Sequence, residues 1–406
     1  MSILSAHGAC FCLAETPAAA AAAVALIEPS VQGILNELHT VVMAATGGAQ
    51  QVARELAVLS ELAVYAKDGD QALTLVDILV HFLKTDRRLR HSTRHSILVI
   101  ITKLVPLAPG PLREKYITFF SSQFGLRRKG PNARQALCGL FRAFADTCDD
   151  PHLKQTAGIM EDLNAMEEGS LDEYDFTRRS KAAAMASEGR FDAGYPEEAL
   201  LPIVWHMQHD LFEEELSLRV MASRGLAHLA ASSGETGQHP GIVHKVMFPF
   251  VRKEIRSAKD PTRTELIELL GAIAAAFPKE YPVLAALRNT EGETDFYTNV
   301  THLQVHRRVR ALAKLQKLLQ SERVEGLTQT LLTGILVPLV TYFVFNAKAE
   351  KEETLAVLQN KAVDNTSNLV SMAVKTLGVI ASRCLLYSVL TSWGDGLGWV
   401  GLGWVR

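Results

Sequence analysis

Four cations recur along Thr301 to Leu319, THLQVHRRVRALAKLQKLL, at a spacing that gathers them on one face of a helix. At about 100° per residue, Arg307, Arg310, Lys314 and Lys317 share one stripe, and Val305, Val309, Leu312, Leu315 and Leu319 share another almost diametrically opposite. One face packs and the other offers charge. Clustered cations neutralise phosphates and release counterions, which gives tight, sequence-tolerant binding to nucleic acid. Arg308 is different. It projects about 40° from the centre of the apolar stripe, so its stem is expected to pack while its guanidinium meets a carboxylate or carbonyl, a structural role. Two further basic clusters are candidates for the same partner: Arg87, Arg88, Arg90 and Arg94 in a turn-rich segment, and Arg127, Arg128 and Lys129 just after Phe119, Phe120 and Phe124. Those aromatics read as helix core, and the clusters fit equally a solvated basic surface or a dock for an acidic protein, this chain's own acidic block included.

Catalytic chemistry finds little purchase. The sequence holds no G-x-x-x-x-G-K-[ST] phosphate loop, G-x-G-x-x-G turn, H-E-x-x-H pair or G-x-S-x-G elbow. His206 and His209 are three apart on one candidate helix, but Asp210 is the only carboxylate near them and points off that face, so they read as surface or satisfied histidines. Glu213, Glu214 and Glu215 form a solvated loop before a helix rather than an acid and base pair. The expectation is a protein that is not an enzyme, with no cofactor, no bound metal and no small-molecule substrate.

The elements that must carry the cations are helical. Of 406 residues 48% are hydrophobic, enough for a large core, and β-branched alternating runs are scarce. The net charge of -2 hides two blocks of opposite sign. Between Lys84 and Arg134 there are twelve Lys or Arg against two acids; between Asp146 and Phe176 there are ten acids against Lys154 alone. Cysteines 10, 12, 138, 148 and 384 are too scattered for a disulfide framework or zinc ribbon, which suits a reducing compartment. The N-terminus lacks the positive region of a secretory signal. The most apolar run, Leu331 to Phe345, is interrupted by Pro338 and falls short of the roughly 20 residues of a membrane span, so it reads as a buried helix and no membrane is implied.

Three segments share one plan: a first helix containing an apolar residue followed by proline, a polar turn, then a second helix rich in small residues. Leu201-Pro202 leads to Arg219 through Ala230, Phe248-Pro249 to Glu265 through Ala276, and Val337-Pro338 to Val370 through Ala381. The prolines are separated by about 45 residues and then about twice that, with the helix near Thr301 in the skipped unit, a period expected of HEAT or armadillo arrays. Proline is expected to kink each first helix, and Gly225, Gly271 and Gly378 to let each second helix approach its neighbour closely. Further helices are predicted at about Val31 to Ala45, Gln50 to Ala66, Gln71 to Leu83, Thr93 to Val105, Leu112 to Phe124 and Asn132 to Asp146, with loop signals at Gly47-Gly48, Lys67-Asp68-Gly69, Pro109-Gly110 and Gly130-Pro131. The reading is an all-α, HEAT/armadillo-like α-solenoid of antiparallel helix pairs. It has a disordered or weakly helical terminus at 1–30, repeats with the basic region at 31–148, an acidic polar insertion at 149–195, HEAT-like repeats at 196–384 and an atypical Gly/Trp-rich tail at 385–406. That tail carries GLGWV twice in tandem and, with so much glycine, is expected not to form a capping helix for the array.

Asp295-Phe296-Tyr297-Thr298-Asn299, followed by His302-Leu303-Gln304-Val305-His306-Arg307-Arg308 and Arg310-Ala311-Leu312, resembles a segment of the large HEAT-repeat component of the small-subunit processome, the down-regulated-in-metastasis family. Leu171-Asp172-Glu173-Tyr174-Asp175-Phe176, with Arg178 and Arg179 after it, is similar to a second segment of that family in the same order. The resemblance covers residues 31 to 383. It implies a nuclear, nucleolar α-solenoid that helps assemble the small-subunit precursor by contacting pre-ribosomal RNA and processome proteins, with no active site in its repeats. Members are much longer than 406 residues, so the resemblance implies a fragment or truncated product. A transport-receptor or phosphatase-type scaffold, gripping proteins without RNA contact, is the alternative. The helix at Thr301 yields a first expectation: Arg310→Glu weakens partner binding with thermal melting nearly unchanged, whereas Arg308→Ala lowers melting; the reverse ranking in paired melting and binding assays sinks this orientation.

Overall fold

A computed structural model describes residues 31–44, 56, 59–85, 89–126, 130–169, 173–188, 194–289, 291–321, 324–345 and 362–394. The protein is all-α; among the described residues the only β pairing is an isolated bridge between Met166 and Tyr174. No described helix is long and apolar enough to cross a membrane. The chain divides into two compact units, the first comprising Met1–Ala186 with Arg190–His209 and the second Ser187–Gly189 with Asp210–Arg406.

Unit 1 contains α1 (Val31–Ala44), α2 (Gly69–Thr85), α3 (His91–Leu104), α4 (Pro109–Gln123), α5 (Pro131–Thr147), α6 (Pro151–Leu163), α7 (Phe176–Ser187) and α8 (Glu197–Asp210). Prolines 109, 131 and 151 stand at the first helical positions, where the missing N–H costs nothing and the fixed φ suits the helix. Pro109-Gly110 and Pro131 are therefore helix starts, not loop. Asp150 caps α6 by accepting from the N–H groups of His152 and Leu153. Packing follows chain order, α1 on α2, α3 on α5 and α5 on α6. The helix of the acidic stretch is thus a packing layer: α6 buries Leu153, Ala157, Met160 and Leu163. Its acids are met at home, Asp149 by Lys154, Asp150 by Arg113 at 2.9 Å, and Glu161 and Asp162 by Arg142 and Arg178. Burial alone would raise the Asp150 carboxyl, but the Leu153 N–H and Arg113 hold it below the usual carboxylate range.

Unit 2 runs through α9 (Leu216–Thr236), α10 (Pro240–Ile242, a π-helical turn at Val243–Met247, then Phe248–Glu254), α11 (Asp260–Ala276), α12 (Pro282–Leu287), α13 (Phe296–Val300), α14 (Val305–Gln320), α15 (Gln329–Leu331, a π-helical turn at Leu332–Leu336, then 337–345) and α16 (Ala362–Gly394). The predicted second helices stack, α9 on α11, and α14 packs on α16; the predicted first helices α10 and α15 also touch. Pro249 and Pro338 each follow a π-helical turn by two residues, and the two turns are as far apart in sequence as the two prolines. A proline removes one N–H and its ring collides with the carbonyl four residues back; the wider turn moves that carbonyl aside. Pro202 lies inside α8 without such a turn.

The glycine expectation divides. A Cβ on Gly271 would lie 2.8 Å from Tyr297 Cγ, so α11 needs glycine to seat that ring. At Gly378 nothing lies within 4 Å, which corrects the close approach expected there; Gly234, not foreseen, is the residue whose Cβ would strike the Ala276 carbonyl oxygen at 2.5 Å in the α9–α11 contact. The helix expected to stop before the tail instead continues through Gly394, because Thr391–Gly394 extend a long helix before the glycine-dense repeats, which lie outside the described residues along with 1–30 and Gly47-Gly48. These two glycines give opposite substitution effects. Gly271→Ala is expected to lower stability by about 1–3 kcal/mol through overpacking, while Gly378→Ala, exposed and mid-helix, raises it by roughly 0.5–1 kcal/mol; chemical denaturation of the two variants checks the sign of each.

Candidate nucleic-acid interface

The corner that launches α14 is built by the patch carrying the family resemblance. Asp295 is buried and caps α13: its carboxylate accepts from the N–H of Thr298 at 3.1 Å and of Asn289 at 2.9 Å, with the Arg288 guanidinium at 3.5 Å. Tyr297, fully buried, donates to the Leu284 carbonyl at 2.8 Å, and burial pushes its phenol well above the usual range. Asn299 donates through Nδ2 to the carbonyls of Glu293 and Asp295. These groups fold the α12–α13 corner rather than face a ligand. The second patch behaves alike. Asp175 accepts from the Arg178 N–H, and Arg179 is buried with Nε on the Leu163 carbonyl at 3.0 Å and its guanidinium 4.5 Å from the Tyr174 ring centre.

From that corner α14 starts at Val305, four residues later than expected, because Thr301 to Gln304 form the turn out of α13. Leu312, Leu315 and Leu319 are buried; Val305 and Val309 are half-buried. Arg383 on α16 donates through Nε to the Leu319 carbonyl at 2.7 Å and also reaches the Ser321 carbonyl, satisfying acceptors that the helix end leaves open.

The four cations do not share a fate. Arg310 and Lys317 are exposed and Arg307 is half-buried. Lys314 is folded inward, donating through Nζ to the carbonyls of Leu287 at 2.7 Å and Thr294 at 3.2 Å, which corrects its expected place on the outer stripe. Desolvation lowers its ammonium below the usual lysine range, with Asp295 opposing the change. The reason is reach: a long flexible stem finds unsatisfied carbonyls at the α12–α13 corner sooner than it finds water. Arg308 is half-buried and donates to the Leu303 carbonyl at 3.3 Å.

In unit 1, Arg90 is exposed just before α3, but Arg94 is buried inside that helix, which corrects its expected exposure; one turn beyond Arg90, the packed face of α3 begins. Arg87, Arg88, Arg127, Arg128 and Lys129 lie outside the described residues. Much of the block's remaining charge is used internally. Arg113 pairs with Asp150 and Glu198, and Lys115 with Asp77 at 2.8 Å. Arg134 is buried, donating to Asn164 Oδ1 at 2.9 Å and the Phe124 carbonyl at 3.2 Å. His206 is buried against the same Asn164 oxygen at 3.1 Å; since Asn164 Nδ2 donates to Met160, His206 Nε2 carries the proton. Phe120 and Phe124 are fully buried core.

A basic run was missed. Lys245, Lys253, Arg256 and Lys259 are exposed along α10 and the turn after it, with Arg252 half-buried, and Glu254 is the one acid between Lys245 and Lys259. A charge count over that window would have found it; the apolar Phe248-Pro249-Phe250 at its centre drew attention to packing instead.

The family model described as U3 small nucleolar RNA-associated protein 20, N-terminal, matches residues 2–259. This chain belongs to that family. It is 27% identical over 278 residues to the U3 small nucleolar RNA-associated protein 20 of Schizosaccharomyces pombe, across 63% of this chain and 11% of that protein. It is 24% identical over 298 residues to the Saccharomyces cerevisiae protein of the same name, across 70% of this chain and 12% of that one. The chain thus spans about an eighth or less of the relatives it matches. The family match takes in the missed run at Lys245 to Lys259 and ends before α14. The two lysines of α14 separate structure from surface: Lys314→Met should lower stability by about 1 kcal/mol by orphaning two carbonyls, and Lys317→Met should leave it within measurement error, as thermal melting at neutral pH will show.

Proposed function

We propose that this chain is a non-catalytic helical scaffold in small ribosomal subunit biogenesis, holding pre-ribosomal RNA and assembly factors of the small-subunit processome in the nucleolus. Family membership across residues 2–259 carries this reading, since the relatives are named for association with a small nucleolar RNA. Exposed Arg310 and Lys317 on α14, with Arg307 beside them, and Arg90 just before α3 in unit 1 supply phosphate-neutralising charge. Arg87, Arg88, Arg127, Arg128 and Lys129 extend the proposed set on sequence alone.

The inward turn of Lys314 and Arg94 favours a second reading, a helical-repeat adaptor that grips proteins without touching RNA, because it thins the basic face. Affinity purification of the tagged chain, with and without RNase, followed by RNA sequencing and mass spectrometry, separates the two. The expected outcome is enrichment of small-subunit precursor RNA and processome proteins, with RNA recovery reduced on the order of tenfold by Arg310→Glu combined with Lys317→Glu. Transport or phosphatase partners without precursor RNA would leave only the adaptor.

A further inference from the structure

Along α10 the fold leaves a row of long cations unused. Lys245, Arg256 and Lys259 are exposed and Arg252 is half-buried, and none of these has a hydrogen-bond or ion-pair partner among the described residues. Lys253 is set apart, since its ammonium meets the Glu254 carboxylate at 3.0 Å. At about 100° per residue Lys245, Arg252 and Arg256 leave the helix within an arc of roughly 60°, on one flank of the buried stripe of Val251 and Ile255. Lys259 follows at the turn into α11. That flank borders α15. The stem of Arg252 crosses Gly334, where a Cβ would stand 3.0 Å from its Cγ and Cδ, so the glycine lets the stem lie flat and fixes where the guanidinium emerges. From Leu327 to Phe345, α15 contributes no charged residue, and near its start Gln329, Thr330 and Thr333 are exposed. Asp260, next to Lys259, is the exposed acid that borders the run. In unit 1 the acids of a neighbouring helix meet Arg113 and Arg142; here the neighbouring helix has none to offer.

The surroundings of the run choose among anionic partners. A protein contact is anchored by large apolar side chains that enter a pocket, and among the described residues no large apolar side chain between Leu216 and Leu303 is exposed. A single-stranded nucleic acid gains much of its affinity from bases stacked on open rings. The rings of α10 are already engaged: Phe248 stacks on Tyr281 at 4.3 Å, Phe250 meets Phe212 edge-on at 6.2 Å, and His244 lies against Phe277 at 4.6 Å. Charge with neither an apolar anchor nor an open ring suits the partner that carries the most phosphate per unit length and has least need to show its bases. That partner is a duplex, and an RNA duplex is read through its backbone rather than its base edges. Threonine and glutamine donors like those at the start of α15 accompany Lys and Arg on such a backbone.

We infer that the flank formed by Lys245, Arg252, Arg256 and Lys259, with the exposed start of α15, binds the phosphate backbone of double-stranded RNA. The inference rests on the RNA-binding part of the proposed function, and it adds a contact on α10 to those on α14 and names a duplex as the ligand. The test is fluorescence anisotropy on the full chain with a labelled RNA duplex of arbitrary sequence, a labelled oligouridine with the same number of phosphates, and a labelled polyglutamate peptide. The duplex is expected to bind most tightly, and an unlabelled duplex of unrelated sequence to displace it. Lys245→Glu combined with Arg256→Glu should weaken duplex binding on the order of tenfold or more, with thermal melting unchanged. Lys245→Gln, Arg256→Gln and Lys259→Gln should each reduce the slope of log affinity against log salt by about 1, whereas Lys375→Gln, on the exposed face of α16, leaves the slope as it is. Absence of duplex binding, tighter binding of oligouridine or of the peptide, or a duplex affinity and salt slope that ignore the α10 substitutions overturns the inference. If precursor RNA still copurifies with the chain in those cases, the proposed function stands without α10. Duplex binding that depends on α10 in a chain whose purified form carries no precursor RNA supports the inference and sinks only the ribosome-assembly reading.

Discussion

Unit 2 is organised around a guanidinium buried to 4% exposure. Arg263, on α11, donates to the Ile255 carbonyl at 2.7 Å at the end of α10 and to the Pro338 and Leu339 carbonyls at 2.9 and 3.3 Å on α15, while its plane lies 4.0 Å from the Tyr342 ring centre. Taking a cation out of water costs far more than any single contact returns. Carbonyl dipoles and an aromatic face stand in for the lost solvent, and desolvation still pulls the group down to about 10. Because the three helices must stay where those acceptors meet one fork of donors, Arg263 ties α10, α11 and α15 together.

The same economy governs the other long cations. Arg113, Lys314 and Arg383 each meet an acceptor that a helix end or a corner leaves over, whether the Asp150 cap, the α12–α13 carbonyls or the last turn of α14. A chain of many short helices has many helix ends, and every end exposes carbonyls that want donors. Some long cations are drawn to such acceptors, while Arg310 and Lys317, the latter in the last turn of α14, stay exposed.

Opposite-sign blocks in a sequence therefore need not mean opposite-sign surfaces. Arg113, from the basic block, and Asp150, from the acidic one, are partners across α4 and the cap of α6, and Arg142 and Arg178 meet Glu161 and Asp162. What is left for binding is the residue of that pairing. In unit 2 it includes the run from Lys245 to Lys259, which a scan for arginine doublets overlooks because its cations are spaced around a helix.

The all-α class and the recurrence of proline inside successive first helices were legible from spacing, since a 3.6-residue period and a ring that cannot donate are local properties, whereas the wide turn two residues before Pro249 and Pro338 was not. The family resemblance was legible too, although Asp295, Tyr297 and Asn299 turned out to be corner-building groups. The sequence by itself determined where most helices lie, which stripe of α14 is apolar and where charge is concentrated, but not every boundary, as the turn at Thr301 to Gln304 and the helical Thr391 to Gly394 show. Only the tertiary structure decided that Lys314 and Arg94 leave the surface, that Gly234 rather than Gly378 is the point of close approach, and that Arg263 is buried against the Pro338 and Leu339 carbonyls. Periodicity gives the direction in which a side chain departs its helix, but its destination depends on acceptors and voids contributed by residues far away in the chain.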